Sequence, residues 1–332
     1  MCSKVFGEMD ATIEEVVDTP PTTTAGSGHY KAVITYDGQT LEDDDYRSHT
    51  FTIEPMGATL EGHSISLEGD IAVNFYVKLS SKVAASENAY MQFEVPKTST
   101  EYRDQIVYVK DLTPVTADGE NYYVFKCRVA AKDMEAQITA TLIDGDLSYT
   151  FDPYCVRDYA QYLLTHTENP AYENAQELVR AMLTYGKHAR AYFDSTADAL
   201  DALDVTIPDH YSEQVDAGAE DIYDGMSISL KSQTTLSLFF KSEDGLTLTC
   251  DNYQGDHQYV TAKDGNNYVI RIRNIAAADL DKPIVVRVNE FITVVACPLT
   301  YCYKVQNSPD EKLANVAKAL YQYWDAASRY FM

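Results

Sequence analysis

A helical segment in the middle of the chain returns at its end. Residues 178–193 read Leu-Val-Arg-Ala-Met-Leu-Thr-Tyr-Gly-Lys-His-Ala-Arg-Ala-Tyr-Phe, and residues 316–331 read Val-Ala-Lys-Ala-Leu-Tyr-Gln-Tyr-Trp-Asp-Ala-Ala-Ser-Arg-Tyr-Phe. Residues 138 apart match along both segments: Tyr185 with Tyr323, Ala189 with Ala327, and Phe193 with Phe331. In both, apolar residues recur at three- and four-residue spacing, which predicts an amphipathic helix. Two copies of so long a motif predict a tandem repeat.

Alternating apolar residues also recur in two places, 163 positions apart. The first set is Val73, Phe75 and Val77, and the second is Leu236, Leu238 and Phe240. A period of two predicts strands with one buried face. The offset between matching blocks then falls to 146 and finally to 138, so the second copy is shorter by 17 and then by 8 residues. We place both losses in connections, where chain length varies most freely.

The predicted fold class is α+β, with two tandem pseudo-repeats. Each repeat is an antiparallel β-sheet or sandwich layer followed by a packed helical hairpin. We predict helices at 156–164, at 172–193 and near 299–305, and a last helix with Ser308 as N-cap, Pro309 in its first turn and Glu311 completing a capping box. Asp118-Gly119 and Asp264-Gly265 predict the same hairpin turn twice.

The 332 residues divide by composition into four predicted parts. Residues 1–57 are a partial N-terminal β module, in which Tyr30, Ala32, Ile34 and Tyr36 alternate as a strand. Residues 58–194 are the first repeat, 195–224 a partly ordered acidic linker, and 225–332 the second repeat. The chain opens abruptly, so we interpret it as a piece of a longer polypeptide.

The charge balance excludes two classes of partner. The chain holds 26 basic and 51 acidic residues, a formal net charge of −25. Nucleic acids and anionic membrane surfaces both require clustered Lys and Arg. No apolar run approaches the length of a membrane span, so we predict no membrane insertion. The six cysteines are widely spaced, which predicts small buried side chains rather than zinc ligands or a disulfide scaffold.

No sequence motif assembles a catalytic, cofactor or metal site, and we predict a protein that is not an enzyme. Gly62-His63-Ser64-Ile65-Ser66 is one residue short of a nucleophile elbow, but here the serine stands at a strand rather than at a strand-to-helix turn. The acidic run 42–45 lacks the alternating ligand spacing of a calcium loop, so we interpret it as a solvated turn. A weak calcium site remains an alternative.

The candidate partner-binding surface lies on two predicted helices, the mid-chain helix at 172–193 and the last helix of the chain. Lys187, His188 and Arg190 give the mid-chain helix a small basic edge, and Arg180 lies one face away. Trp324 takes the position of Gly186 in the other copy. Ordinary helix surface is the alternative for the basic residues, and packing is the alternative for the tryptophan.

Several runs resemble a known family. Residues 64–76, 156–164 and 181–186 resemble an uncharacterised repeat region of large cell-surface proteins from Gram-positive gut anaerobes, and residues 236–240 and 319–323 look like its second half. Residues 1–57 resemble the small β modules that often precede it. The resemblance implies a secreted bacterial protein displayed at the cell surface, with its signal and anchor outside this sequence. It implies no catalytic residues.

Three functional hypotheses follow. The first is a non-catalytic extracellular module for adhesion or display that binds a host protein or glycan. The second is an immunoglobulin-binding, superantigen-like protein, which predicts an exposed patch rich in tyrosine. The third is a carbohydrate-binding or glycan-cleaving domain, which predicts a groove with paired aromatic rings and carboxylates. The oligomeric state is left open.

Overall fold

In the computed structural model of the chain, the described residues are 11–19, 25–36, 38–43, 49–53, 57–66, 70–96, 100–166, 168, 170–194, 196–198, 200–252 and 259–331. They form a mixed α+β fold in which strands pair in antiparallel sheets, so the predicted fold class is confirmed at this level. Two predictions fall partly outside the described residues: the acidic turn at Asp44 and Asp45, and the burial of Cys2.

A four-stranded sheet comes first in the chain. Its strands are β1 (Thr12–Thr19), β2 (Gly26–Tyr36), β3 (Gln39–Asp43) and β4 (Thr50–Ile53). The long β2 pairs with the other three. The predicted acidic turn is wrong at Glu42, which lies in β3, where its carboxylate is 3.1 Å from Lys31 Nζ of β2. Cross-strand pairs of opposite charge suit this position.

The next eight strands form two sheets that face each other. They are β5 (Ala58–Ser66), β6 (Ala72–Leu79), β7 (Tyr90–Glu94), β8 (Asp104–Tyr108), β9 (Val115–Ala117), β10 (Glu120–Arg128), β11 (Thr139–Asp144) and β12 (Leu147–Thr150). One sheet has the order β5-β6-β10-β9 and the other β12-β11-β7-β8. The rings of Phe75 and Phe93, one from each sheet, are 5.2 Å apart and fully buried. Two short helices, α1 (Ser81–Ala84) and α2 (Thr100–Arg103), lie in the connections.

The last eight strands form a second pair of sheets. They are β13 (Gln214–Val215), β14 (Tyr223–Leu230), β15 (Thr234–Lys241), β16 (Leu248–Cys250), β17 (Tyr259–Asp264), β18 (Asn267–Ile275), β19 (Ile284–Val288) and β20 (Ile292–Ala296). The orders are β14-β15-β18-β17 and β13-β20-β19-β16. Leu236, Leu238 and Phe240 are buried, as their alternation predicts.

Two hairpins that the sequence assigns to the same turn close differently. Ala117 pairs with Glu120, so the first loop is Asp118-Gly119, and both residues have positive φ (52° and 81°). Asp264 pairs with Asn267, so the second loop is Gly265-Asn266, with positive φ at the glycine. Both two-residue loops suit the twist of a hairpin. The prediction that both hairpins use the same turn is therefore wrong. Strand pairing in the second hairpin is shifted by one residue relative to the first, so its loop begins at the glycine rather than at the aspartate.

Four longer helices complete the fold: α3 (Val156–Thr165), α4 (Pro170–Phe193), α5 (Pro298–Val305) and α6 (Glu311–Phe331). Helix α4 packs along α6, and the stacked rings of Tyr185 and Tyr323 meet at their centre, 5.5 Å apart and 13° from parallel. Ala189 and Ala327 are fully buried beside them. We call β5–β12 with their connections the first β region, and β13–β20 with their connections the second. Apolar side chains of both β regions, of α3 and α4, and of α5 and α6 form one continuous core.

The start of α6 differs from the prediction. Asp310 Oδ1 accepts hydrogen bonds from the backbone nitrogens of Lys312 (3.0 Å) and Leu313 (3.2 Å), and the helix begins at Glu311. The predicted N-cap, Ser308, instead accepts from Asp310 N at 3.2 Å. The predicted N-cap is therefore wrong. Aspartate and serine cap about equally well, so propensity alone does not distinguish Asp310 from Ser308.

The predicted acidic linker is held against the last two helices. Gln306 Oε1 accepts from Ile207 N (2.8 Å), and Gln306 Nε2 donates to Ile207 O (3.0 Å). Asn315 Oδ1 accepts from Leu203 N at 3.1 Å. Farther along, β13 pairs with β20, and β14 already begins at Tyr223. Part of 195–224 thus belongs to the second β region, while the predicted domain limits stay predictions.

Candidate functional site

A groove lined by aromatic and small polar side chains lies between a sheet and three helices. Its floor is the face of β5 and β6 that points away from the sheet core, and its walls come from α3, α4 and the end of α6. It encloses about 440 Å³. This volume is typical of sites for small ligands, which span roughly 300–1,000 Å³. We call it the tyrosine groove.

The floor of the tyrosine groove is polar because of strand alternation. Val73 and Phe75 point into the core, so Asn74 and Tyr76 point out of it. Asn74 Nδ2 donates to Ser64 Oγ on the paired strand (3.1 Å), and Ser64 Oγ and Tyr76 Oη share a hydrogen bond of 3.1 Å. This network fixes the orientation of three groups that can donate to or accept from a ligand.

Tyrosine rings from two helices form one wall. Tyr159 lies on α3 and Tyr172 on α4. Tyr162, at the outer end of this wall, meets Tyr172 edge-on (5.9 Å between ring centroids) and stacks on His166 (4.0 Å). Burial, followed by the neighbouring phenols of Tyr172 and Tyr76, raises the pKa of Tyr159. Its hydroxyl therefore stays protonated at neutral pH and can donate a hydrogen bond.

The end of α6 closes the groove. Tyr330 and Phe331 line it, with 42% and 48% of their surfaces exposed. The preceding residue, Arg329, makes ion pairs of 2.7 Å with Glu177 of α4 and with Asp325 one turn earlier. The positive charge of Arg329 is thus paired with two carboxylates, and this group carries a net negative charge beside the groove. Among the described residues that line the groove itself, none is charged.

His63 and Ser64 do not form a nucleophile pair. They are neighbours on β5, so their side chains point to opposite faces of the sheet. The His63 ring stacks on Tyr154 at 3.7 Å and meets Phe75 edge-on at 4.7 Å, while Ser64 is bonded to Asn74 and Tyr76. Burial lowers the pKa of His63 to about 4, so the imidazole is neutral near pH 7.

The predicted partner-binding residues on α4 separate into different environments. Lys187 and Arg190 are exposed and line a second hollow of about 230 Å³ with Lys132 and Glu135. Arg190 Nη1 donates to Glu135 Oε2 at 2.9 Å, so its charge is paired. Arg180 is exposed and donates to Gln176 one turn earlier (3.2 Å).

His188 is not part of the basic edge that the sequence predicts. The residue is buried, and burial lowers the pKa of its imidazole. It therefore contributes packing rather than positive charge. Lys187 and Arg190 lie on the exposed face of α4, whereas His188 lies on its buried face. The spacing of polar and apolar residues over so short a stretch did not predict this difference.

Trp324 lies on α6 and packs against the segments that precede β13 and β19. Its indole Nε1 donates to Asp281 Oδ1 at 3.1 Å, and its ring lies 5.3 Å from Tyr321 and 5.9 Å from Tyr211. The five predicted residues thus do not share one surface. The tyrosine groove was missed, although its signal was present in the outward residues of 64–76 and in the tyrosines at 159, 162 and 172.

The described residues contain no cluster of three or more His, Cys, Asp or Glu side chains placed to hold a metal ion. Cys127, Cys155, Cys250, Cys297 and Cys302 are buried, as predicted for small core side chains. None of the helices described is long and apolar enough to cross a membrane.

Comparisons of the sequence with family models and with curated proteins identify no relative. No family model matches the sequence, and a search of curated proteins gave no match.

Proposed function

We propose that this chain is a non-catalytic extracellular binding or display module of a bacterial cell-surface protein, and that it binds its ligand in the tyrosine groove. The observation that carries the proposal is the groove itself. It is concave, aromatic and uncharged along its described lining, in a chain with a net charge of −25. Tyrosine rings give large contact area at low conformational cost, which suits recognition.

We also propose that the chain is a tandem pseudo-repeat from the cell-surface family that its sequence resembles. The strand orders β5-β6-β10-β9 and β14-β15-β18-β17 support this, because in chain order each sheet places its first, second, fourth and third strands side by side. The contact of Tyr185 with its counterpart Tyr323 also fits two copies packed around a shared axis.

The test is capture of host material with and without an intact groove. The purified chain, immobilised on beads, is offered intestinal mucus and serum proteins, and retained material is quantified. Tyr159→Ala with Tyr330→Ala is expected to reduce specific retention about tenfold or more, since each ring loses its stacking contact. The matched control is Phe291→Ala, which removes an aromatic residue that is 86% exposed in the second β region. Equal retention by all three proteins would reject the groove as the binding site.

A second candidate is immunoglobulin binding. The observation that favours it is the exposure of Tyr162 (44%), whose ring meets Tyr172 of the groove wall, together with the exposure of Tyr330 and Phe331 at the end of α6 that closes the groove. Surface plasmon resonance with purified Fab and Fc fragments tests it directly. Micromolar or tighter binding that Tyr162→Ala weakens would support it, and no binding to either fragment would remove it.

A further inference from the structure

The floor and the walls of the tyrosine groove offer two different kinds of contact. On the floor, the Asn74 amide and the hydroxyls of Ser64 and Tyr76 form a hydrogen-bonded row. On the walls, Tyr159, Tyr172 and Tyr330 present ring surface. A sugar ring has matching chemistry, because its C–H groups form an apolar face that packs on aromatic rings and its hydroxyls form a polar rim.

Charge limits the class of sugar. The described lining residues of the groove carry no cation, and the nearby Arg329 is engaged by Glu177 and Asp325. A sialylated or sulfated glycan would therefore bring its anionic group to a site without a counter-charge, on a chain of net charge −25. An uncharged glycan carries no such cost.

The residues that line the groove favour binding of a glycan over its cleavage. Glycoside hydrolysis requires two carboxylates that face each other across the bond to be broken. The groove supplies the paired aromatic rings that the carbohydrate hypothesis predicts, but its described lining supplies no carboxylate. What the groove offers is stacking surface with fixed hydrogen-bonding groups.

We propose that the tyrosine groove binds a neutral oligosaccharide, stacking its rings on Tyr159 and Tyr330 while its hydroxyls bond to Asn74, Ser64 and Tyr76. This inference rests on the proposed function, which places ligand binding in the groove. It names the ligand class that the groove recognises.

The experiment uses the full chain and an array of short oligosaccharides of glucose, galactose, mannose and N-acetylglucosamine, with sialylated and sulfated glycans beside them. The neutral glycan with the strongest signal is then titrated by calorimetry. Tyr330→Ala is expected to weaken its binding about tenfold, whereas Tyr330→Phe, which keeps the ring, is expected to change it by about threefold or less. Asn74→Leu removes the floor amide and is expected to weaken binding about fivefold or more. Phe291→Ala is expected to leave it unchanged.

The outcomes separate this inference from the function on which it rests. If no neutral glycan binds at millimolar concentration while capture from mucus or serum still depends on Tyr159 and Tyr330, the glycan class is wrong and the groove remains the binding site. If neither depends on these residues, both proposals fail. A preference for acidic glycans, or neutral glycan binding that Tyr330→Ala and Asn74→Leu leave intact, would also overturn the inference.

Discussion

The two β regions share one sheet order but complete their second sheet from opposite sides. In the first region, β8 lies at the edge beside β7, in the order β12-β11-β7-β8. In the second region no described strand follows β16 at that edge, and β13 is added beside β20 instead. The segment between β7 and β9 (95–114) holds β8 and has 20 residues, whereas the segment between β16 and β17 (251–258) has 8, so the length difference that we placed in connections coincides with a segment that holds a strand in the first region. The segment before β14 supplies β13 to the opposite edge of the second sheet.

The difference lies in the edge strands of the two sheets. Edge strands leave backbone groups unpaired, so native sheets keep them short or cover them. The new edge, β16, has only three residues, and its partner β19 is covered on the other side by β20. The acidic segment between the regions contacts the fold at two places: Ile207 bonds to Gln306, and β13 pairs with β20.

The regions also differ where the groove lies. Asn74, on the groove floor, is partly exposed, whereas Ser237, at the matching position of β15, is buried. Tyr76 corresponds in the same way to Phe239, which has no hydroxyl. At these two positions β15 therefore lacks the accessible polar groups that β6 presents to the groove.

The contact between α4 and α6 is the strongest test of whether the regions form one unit. Tyr185→Ala or Tyr323→Ala removes a buried ring from the shared interface, and each is expected to lower the free energy of unfolding by about 3–5 kcal/mol. A double-mutant cycle is expected to give a coupling of about 0.5–1.5 kcal/mol for the stacked pair. Denaturant unfolding followed by circular dichroism measures all four proteins. Additive effects would mean that the two rings do not interact.

Gly186 and Trp324 occupy matching positions with opposite demands for space. A Cβ at Gly186 would lie 2.7 Å from Met134 Sδ and 3.2 Å from the Ala131 carbonyl oxygen. Gly186→Trp is expected to destabilise the protein by about 3 kcal/mol, at the upper end of overpacking costs. Gly186→Ala is expected to cost less than about 1 kcal/mol, because Met134 is flexible and alanine favours the helix. Equal unfolding midpoints for Gly186→Trp and the parent chain would show that α4 does not approach this turn closely.

His63 and Met226 occupy matching strand positions, and the smallest expected effect lies here. The pKa of His63 falls from its usual 6.5 to about 4 through burial, so the unfolded chain takes up a proton before the folded chain does. Stability is therefore expected to fall as pH drops from 6.5 to 4 and to be unaffected by this group at higher pH. His63→Met is expected to flatten the fall, and Met226→His to steepen it. Unfolding midpoints at pH 7.5 and pH 5 compare them, and an unchanged slope in His63→Met would exclude His63 as its source.

The sequence predicted the elements that bury a regular face. Alternation at 73–77 and 236–240 gave β6 and β15, and three- and four-residue spacing gave α4 and α6 within about two residues of their ends. It missed β1 and β13, which lie at sheet edges and carry little apolar signal. It also missed the tyrosine groove, because Ser64, Tyr159 and Tyr330 are distant in sequence and come together only when α3 packs on β5 and α6 packs along α4.

Trp324 is the single tryptophan of the chain. Its indole is anchored to Asp281 and surrounded by Tyr211 and Tyr321, whereas the aromatic residues that line the tyrosine groove are four tyrosines and one phenylalanine. Intrinsic tryptophan emission therefore reports on one defined place beside the second β region. Tyrosine emission, in contrast, includes the groove. Ligand binding that changes the tyrosine signal alone can be distinguished, without any label, from unfolding that changes both.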